Sequence, residues 1–252
     1  MSALDLLIAA GVAFVAGGIN SVAGGGSLIL FPTLVALGMG SVAANVTNSI
    51  AQWPGYIGGA LGFRRDYAGQ RRRLLRFGVV AALGGTAGSV LLLTTPSQAF
   101  DVVVPVLVLM ASLLLAFQPV LASRLWRAEK DGAPPADPAW LYVVLFLACV
   151  YGGYFGGALG VILVSVLGVA LHKLKLANAL KSAVSSVTAT VTVVVFGIWG
   201  PVDWLLVAVA APATLLGGFL GAKLARRIPT RPLRIFIVAF GLAVSVYLFT
   251  RI

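Results

Sequence analysis

The sequence predicts an all-α integral membrane protein made of two inverted repeats, each a Gly-broken re-entrant helical hairpin plus three transmembrane helices. Three observations carry this. The 252-residue chain is 60% apolar and only 10% charged, where a soluble domain carries about 25% charged residues. Its apolar residues form long continuous runs rather than the alternation a β-barrel needs. Two of the runs are interrupted by glycine-rich stretches, GGINSVAGGGS (Gly17 to Ser27) and GGYFGGALG (Gly152 to Gly160). Broken hydrophobic segments in matching positions of two halves point to a transporter's substrate site.

Eight hydrophobic stretches follow in order: 3–38 (broken), 41–62, 74–94, 97–123, 139–171 (broken), 176–197, 202–222 and 232–250. Most unbroken ones have the ~20 residues that a crossing helix needs. The broken ones, 36 and 33 residues long, exceed one crossing, yet each arm is short for a crossing of its own. A shift of 134 or 135 positions lays one glycine break on the other. It then lays ALGMGSVAANVTNSI on ALHKLKLANALKSAV, with Asn48 on Ser182. The expected organisation is an N-terminal repeat over 1–123, a cytoplasmic linker over 124–138 and a C-terminal inverted repeat over 139–252. The linker lies in the one polar, Pro-rich segment, SRLWRAEKDGAPPADPA.

Charge sets the expected topology. The net charge is +11, and its arginines cluster in short loops between spans, which suits positive-inside orientation better than nucleic-acid binding. The 63–76 loop carries six arginines and one aspartate, and the 223–234 loop is basic without an acid. Both are expected in the cytoplasm. The 94–101 and 197–204 loops have no basic residue and are expected outside. For 197–204 to lie outside while the HKLK stretch at 172–175 stays inside, 139–171 must enter and leave on one face. The repeat extends this to 3–38. Three crossings per half then invert the halves, and the glycine breaks become opposed hairpin tips.

Tip glycines permit sharp reversal and close approach. A half-helix starting at each tip presents unsatisfied N–H groups and partial positive charge, which suit an oxyanion. Tight helix packing alone is the rival account of these glycines. In the first break the candidates are Asn20, Ser21, Gly24, Gly25, Gly26 and Ser27, and in the second Gly156 and Gly157. Asn45, Asn48 and Gln52 share a helix face by their spacing, as do Asn178, Lys181, Ser182 and Ser185, with Thr188 and Thr192 beyond. Such stripes line a polar path or bond neighbouring helices at ~0.6 kcal/mol per bond. Lys181 either holds an anion or snorkels to the surface.

Absences bound the chemistry. No Asp or Glu is expected deep in a span, and Asp101 and Asp203 read as helix caps. His172 and Cys149 are the only residues of their types, so no metal cluster, disulfide or catalytic pair is expected. The chain is read as a non-enzyme without cofactor, and Cys149 as a packing residue. The N-terminus lacks a basic n-region and reads as part of the first mature segment.

The stretches AGGGSLILFPTLVALGMGSVAANVTNSIAQWPGYIGGALGFRRD (23–66), YGGYFGGALGVILVSVLG (151–168) and NALKSAVSSVTATVTVVVFGIWGPVDW (178–204) resemble the TauE/SafE family of sulfite exporters. The resemblance spans nearly the whole chain, with Ser49 and Ser182 as departures from the pattern. It implies a multi-pass transporter of sulfite, sulfonates and related anions in the bacterial cytoplasmic (inner) membrane. It also implies motif roles for Gly24, Gly25, Gly26, Asn45, Asn48 and Lys181. The expected partners are a small anionic substrate and the lipid bilayer, with a homodimer among the assemblies open to the chain and no nucleic acid. An anion channel, an importer and a non-transporting membrane assembly subunit are the alternatives.

Overall fold

A computed structural model of the chain describes residues 2–22, 25–127, 137–224 and 230–250. The described residues are helical, with no strand among them. The helices are α1 (Ala3–Val22), α2 (Ser27–Ala36), α3 (Ser41–Gly62), α4 (Arg71–Thr94), α5 (Ser97–Arg127), α6 (Ala139–Tyr154), α7 (Leu159–Leu171), α8 (Leu174–Trp199), α9 (Trp204–Leu224) and α10 (Thr230–Phe249). A short 3-10 turn, Arg64–Tyr67, precedes α4. The expected linker falls largely outside the described residues, as does much of the 223–234 loop.

Both hydrophobic runs expected to break do break, but more narrowly than the glycine content suggests. Gly17 and Gly18 lie inside α1, which runs to Val22, and Gly25 and Gly26 precede α2 outside any helix. Gly152 and Gly153 lie inside α6, and the break is residues 155–158. The reason is packing: these glycines let two helices touch backbone to backbone. A Cβ on Gly17 would overlap the Thr214 carbonyl of α9, and one on Gly217 would overlap the Phe14 carbonyl of α1. In the other half a Cβ on Gly153 would overlap the Gly85 carbonyl of α4, and one on Gly88 the Val150 carbonyl of α6.

Among the described residues, six helices are long and apolar enough to cross a membrane: α1, α4, α5, α8, α9 and α10. Six crossings were expected, but with α3 in place of α1. Because α1 continues through its glycines it reaches 20 residues. In contrast, α3 carries Asn45, Thr47, Asn48 and Gln52, all nearly fully buried, which lowers its apolarity while the protein shields it. Large exposed apolar side chains lie along α1, α4, α5, α6, α9 and α10, whereas α2 has none. The short helix α2 is thus enclosed by protein, where a membrane tolerates interrupted backbone.

The helix pairings repeat when the halves are exchanged. As α1 packs on α9, α6 packs on α4; as α2 packs on α3 and α10, α7 packs on α8 and α5. The pairs α3–α8 and α5–α10 join the halves. Gly84, Gly85 and Gly88 of α4 have the same spacing as Gly217, Gly218 and Gly221 of α9.

Two ion pairs fix the ends of the α6–α7 unit. Asp137, just before α6, accepts from Arg73 Nε at 2.6 Å. Lys175, in the first turn of α8 and four residues past the end of α7, pairs with Asp66 at 2.8 Å. Both ends therefore meet the same basic 63–76 segment. Asp203 caps α9 as expected, accepting from Leu206 N–H at 2.9 Å. Asp101 does not cap: α5 begins at Ser97, a full turn earlier, so Asp101 lies within the helix. Cys149 is fully buried between α4 and α6, in keeping with a packing role.

Candidate functional site

The polar face of α3 reaches both tips. Gln52 Nε2 donates to Ser27 Oγ at 2.7 Å and to Asn48 Oδ1 at 2.7 Å, tying α3 to the first residue of α2. Two turns earlier, Asn45 Nδ2 donates to the Tyr154 carbonyl at 2.8 Å, holding the last turn of α6. At 1.5 Å rise per residue these anchors lie roughly 10 Å apart along α3. Phe31, one turn into α2, also packs edge to face on Phe155 at the second break, with centroids 5.5 Å apart. The interruptions of the two runs are therefore neighbours in space.

Each break ends in a helix start. In the first turn of α2, Leu28 N–H bonds the Gly25 carbonyl and Ile29 N–H the Gly26 carbonyl. Gly25 has φ +111° and its N–H donates to Asn20 Oδ1 at 3.4 Å. At the second tip Gly156 has φ +76° and Ala158, the residue before α7, has φ +58°. The Tyr151 hydroxyl donates to the Gly157 carbonyl at 2.6 Å, which steadies the turn from behind.

A cavity of about 820 Å³ lies between the tips, α3, α8 and α9. Of the expected site residues, Asn20, Gly25, Ser27, Gln52, Gly156, Lys181, Ser182 and Ser185 line it. Asn45, Asn48, Gly26 and Gly157 are not among its lining residues: the first two bond helices and tips together, and the two glycines are close-packed at the tips. Gly24 and the side chain of Ser21 lie outside the described residues.

Two buried polar atoms on the cavity wall have no hydrogen-bond partner among the described residues, Gln52 Oε1 and Ser185 Oγ. Their residues are 2% and 3% exposed. Ser182, by contrast, donates to the Asn178 carbonyl of its own helix at 3.0 Å. Lys181 is the eighth residue of α8 and, among the described residues, the only charged side chain lining the cavity. Its aliphatic stem runs past the start of α7, since a Cβ on Gly160 would sit 3.7 Å from Lys181 Cδ. A cationic side chain and a positive helix terminus thus converge, with no carboxylate among the described residues lining the same space, an arrangement that favours an anion. Among the described residues no group of three His, Cys, Asp or Glu could hold a metal.

Sequence reasoning missed the far half of α3 and the α9 wall. Pro54, Gly55, Tyr56, Gly58, Gly59 and Gly62 carry the cavity to Phe63, and Thr214 to Phe219 close its side. The signal was present as glycines three and four apart, but they follow the polar stripe and lie outside both breaks.

The family description "Sulfite exporter TauE/SafE" matches residues 9–248. A "Probable membrane transporter protein" of Haemophilus influenzae is 29% identical over 217 residues, covering 84% of this chain and 82% of its own length. The "Probable membrane transporter protein YfcA" of Escherichia coli K12 is 28% identical over 224 residues, covering 86% and 78%.

Proposed function

The chain belongs to the sulfite exporter TauE/SafE family of membrane transporters, and from that membership we propose that it exports a small sulfur-containing anion, sulfite or an organosulfonate, across a bacterial inner membrane. The observation that carries this reading is the convergence of Lys181 and the α7 start on a cavity with no acidic lining residue among those described. Ser185, buried with its hydroxyl unpartnered, adds a donor for which a bound oxyanion is the natural partner, while both N–H groups of the Gln52 amide are given to Ser27 and Asn48.

The path is proposed to alternate between two inverted repeats. In support, both ends of α6–α7 pair with the 63–76 segment, as a hairpin that enters and leaves one face would. The exchange symmetry of the helix pairings extends the same reading to α1–α2. The arginines of 63–76 put that face in the cytoplasm by the positive-inside rule. The cavity then loads from the cytoplasm, because it runs from the tips to Phe63 at the head of that segment. Outward movement of one negative charge is favoured by ~2.3 kcal/mol per 100 mV of inside-negative potential, so export needs no coupling ion.

Flux in proteoliposomes under an imposed potential tests the reading. The purified chain should pass sulfite or a short sulfonate at a rate set by the potential. Lys181→Ala should lower that rate at least about tenfold, the equivalent of about 1.4 kcal/mol. Flux no greater than in empty liposomes, or a Lys181→Ala rate equal to wild type, would overturn it.

A further inference from the structure

The second half of α3 holds glycines that packing does not explain. Gly55, Gly58, Gly59 and Gly62 all line the cavity, and a Cβ built on any of them meets nothing within 4 Å. Glycine is the poorest helix former after proline, so four of them within eight residues, touching nothing, weaken a helix without a packing return. What they leave is space. A four-atom oxyanion takes up roughly the volume of two waters, about 60 Å³, while the cavity holds about 820 Å³, within the size class of sites for organic ligands.

The cavity is also divided in character. At the tips stand Lys181 and Ser185, the latter buried with its hydroxyl unpartnered. Leu215 and Phe219 of α9, and Phe63 just past the end of α3, line the cavity as well. We propose that Gly55, Gly58, Gly59 and Gly62 form a tail subsite that sets substrate size, receiving the uncharged organic part of an anion whose head is held at the tips. This rests on the anion-transport reading above and adds to it which substrates the protein prefers and which residues decide.

The test uses straight-chain alkanesulfonates from methane- to butanesulfonate, with the full chain in detergent and in proteoliposomes. In wild type the rise in Tm on adding sulfonate should grow with chain length, and butanesulfonate flux should match or exceed methanesulfonate flux. Gly59→Leu should abolish the dependence of Tm on chain length and lower the butane-to-methane flux ratio about tenfold, with methanesulfonate flux within twofold of wild type. Gly59→Ala, which improves helix propensity without filling the subsite, should fold at least as well as wild type. The proposal is overturned if chain length has no effect in wild type, if Gly59→Leu lowers both fluxes alike, or if Gly59→Leu changes the oligomeric state instead. Should wild type pass no sulfonate yet show a chain-length trend that Gly59→Leu removes, the tail subsite stands and the export reading falls.

Discussion

The glycines of the α1–α9 and α4–α6 pairs and the glycines of α3 sit in helices of similar length, yet they act oppositely. In the first group the space where a Cβ would go is filled by a carbonyl of the partner helix, as at Gly17, Gly88, Gly153 and Gly217. In the second it is empty at all four positions. Lipid tails are as apolar as leucine, so helices in a bilayer gain little from hydrophobic burial and much from close contact. The first group obtains that contact. The second gives it up and forms a wall of the cavity instead. Hydropathy scores the two groups alike; only the neighbour of the absent Cβ tells them apart.

The largest effect should come from filling a packed position. Gly217→Leu places a side chain where the Phe14 carbonyl lies, and Gly88→Leu does the same against Val150. Neither obstacle is the flexible end of a side chain, so the helices must part. The expected cost is at least about 3 kcal/mol for each, read as a large fall in Tm or loss of monodisperse protein on gel filtration. A variant with wild-type Tm would break the distinction, because it would mean that the backbones need not touch.

Gly156 belongs to neither group and should give an intermediate result. It lines the cavity with φ +76°, a left-handed conformation that costs a residue with a Cβ roughly 1–2 kcal/mol. A Cβ there would also lie 3.2 Å from the Gly152 carbonyl. Gly156→Ala should lower Tm by an amount between those of the other two groups. An unchanged Tm would show that the second tip relaxes freely, and would move Gly156 into the group that serves only space.

Much of this arrangement was legible in the sequence. Continuous apolar runs gave the helices, and polar residues three and four apart gave the inward face of α3. What could not be read was which partner each polar group finds. Asn45 and Gln52 look equivalent by spacing, yet Asn45 donates to the Tyr154 carbonyl, 109 positions away, while Gln52 donates to Ser27 and to Asn48 of its own helix. The glycine breaks were over-read for a related reason. Gly17, Gly18, Gly152 and Gly153 interrupt hydropathy but not helix, because α9 receives the first two, Leu159 of α7 packs on Gly152, and α4 receives Gly153. Asp101 failed as a cap because the helix starts a turn earlier, after Pro96, whose carbonyl accepts from Ala99 and Phe100 N–H.

The smallest and most discriminating effect lies in the open group. Gly58 is in the interior of α3, away from Pro54 and from the end of the helix at Gly62. A methyl group there meets nothing within 4 Å. Gly58→Ala should therefore stabilise the protein by about 0.4–1 kcal/mol, through better helix propensity and a less flexible unfolded chain. A methyl group is too small to fill the tail subsite, so sulfonate flux should stay within about twofold of wild type, a range equal to roughly 0.4 kcal/mol. A rise in Tm would separate α3 from the packed helices by sign and not only by size, since every substitution at a packed glycine lowers Tm. A fall would mean that something occupies the space above Gly58 in the working protein. A second copy of the chain would then be the first occupant to test, because a stripe of small residues on an open helix face is also what helices use to pair in a membrane.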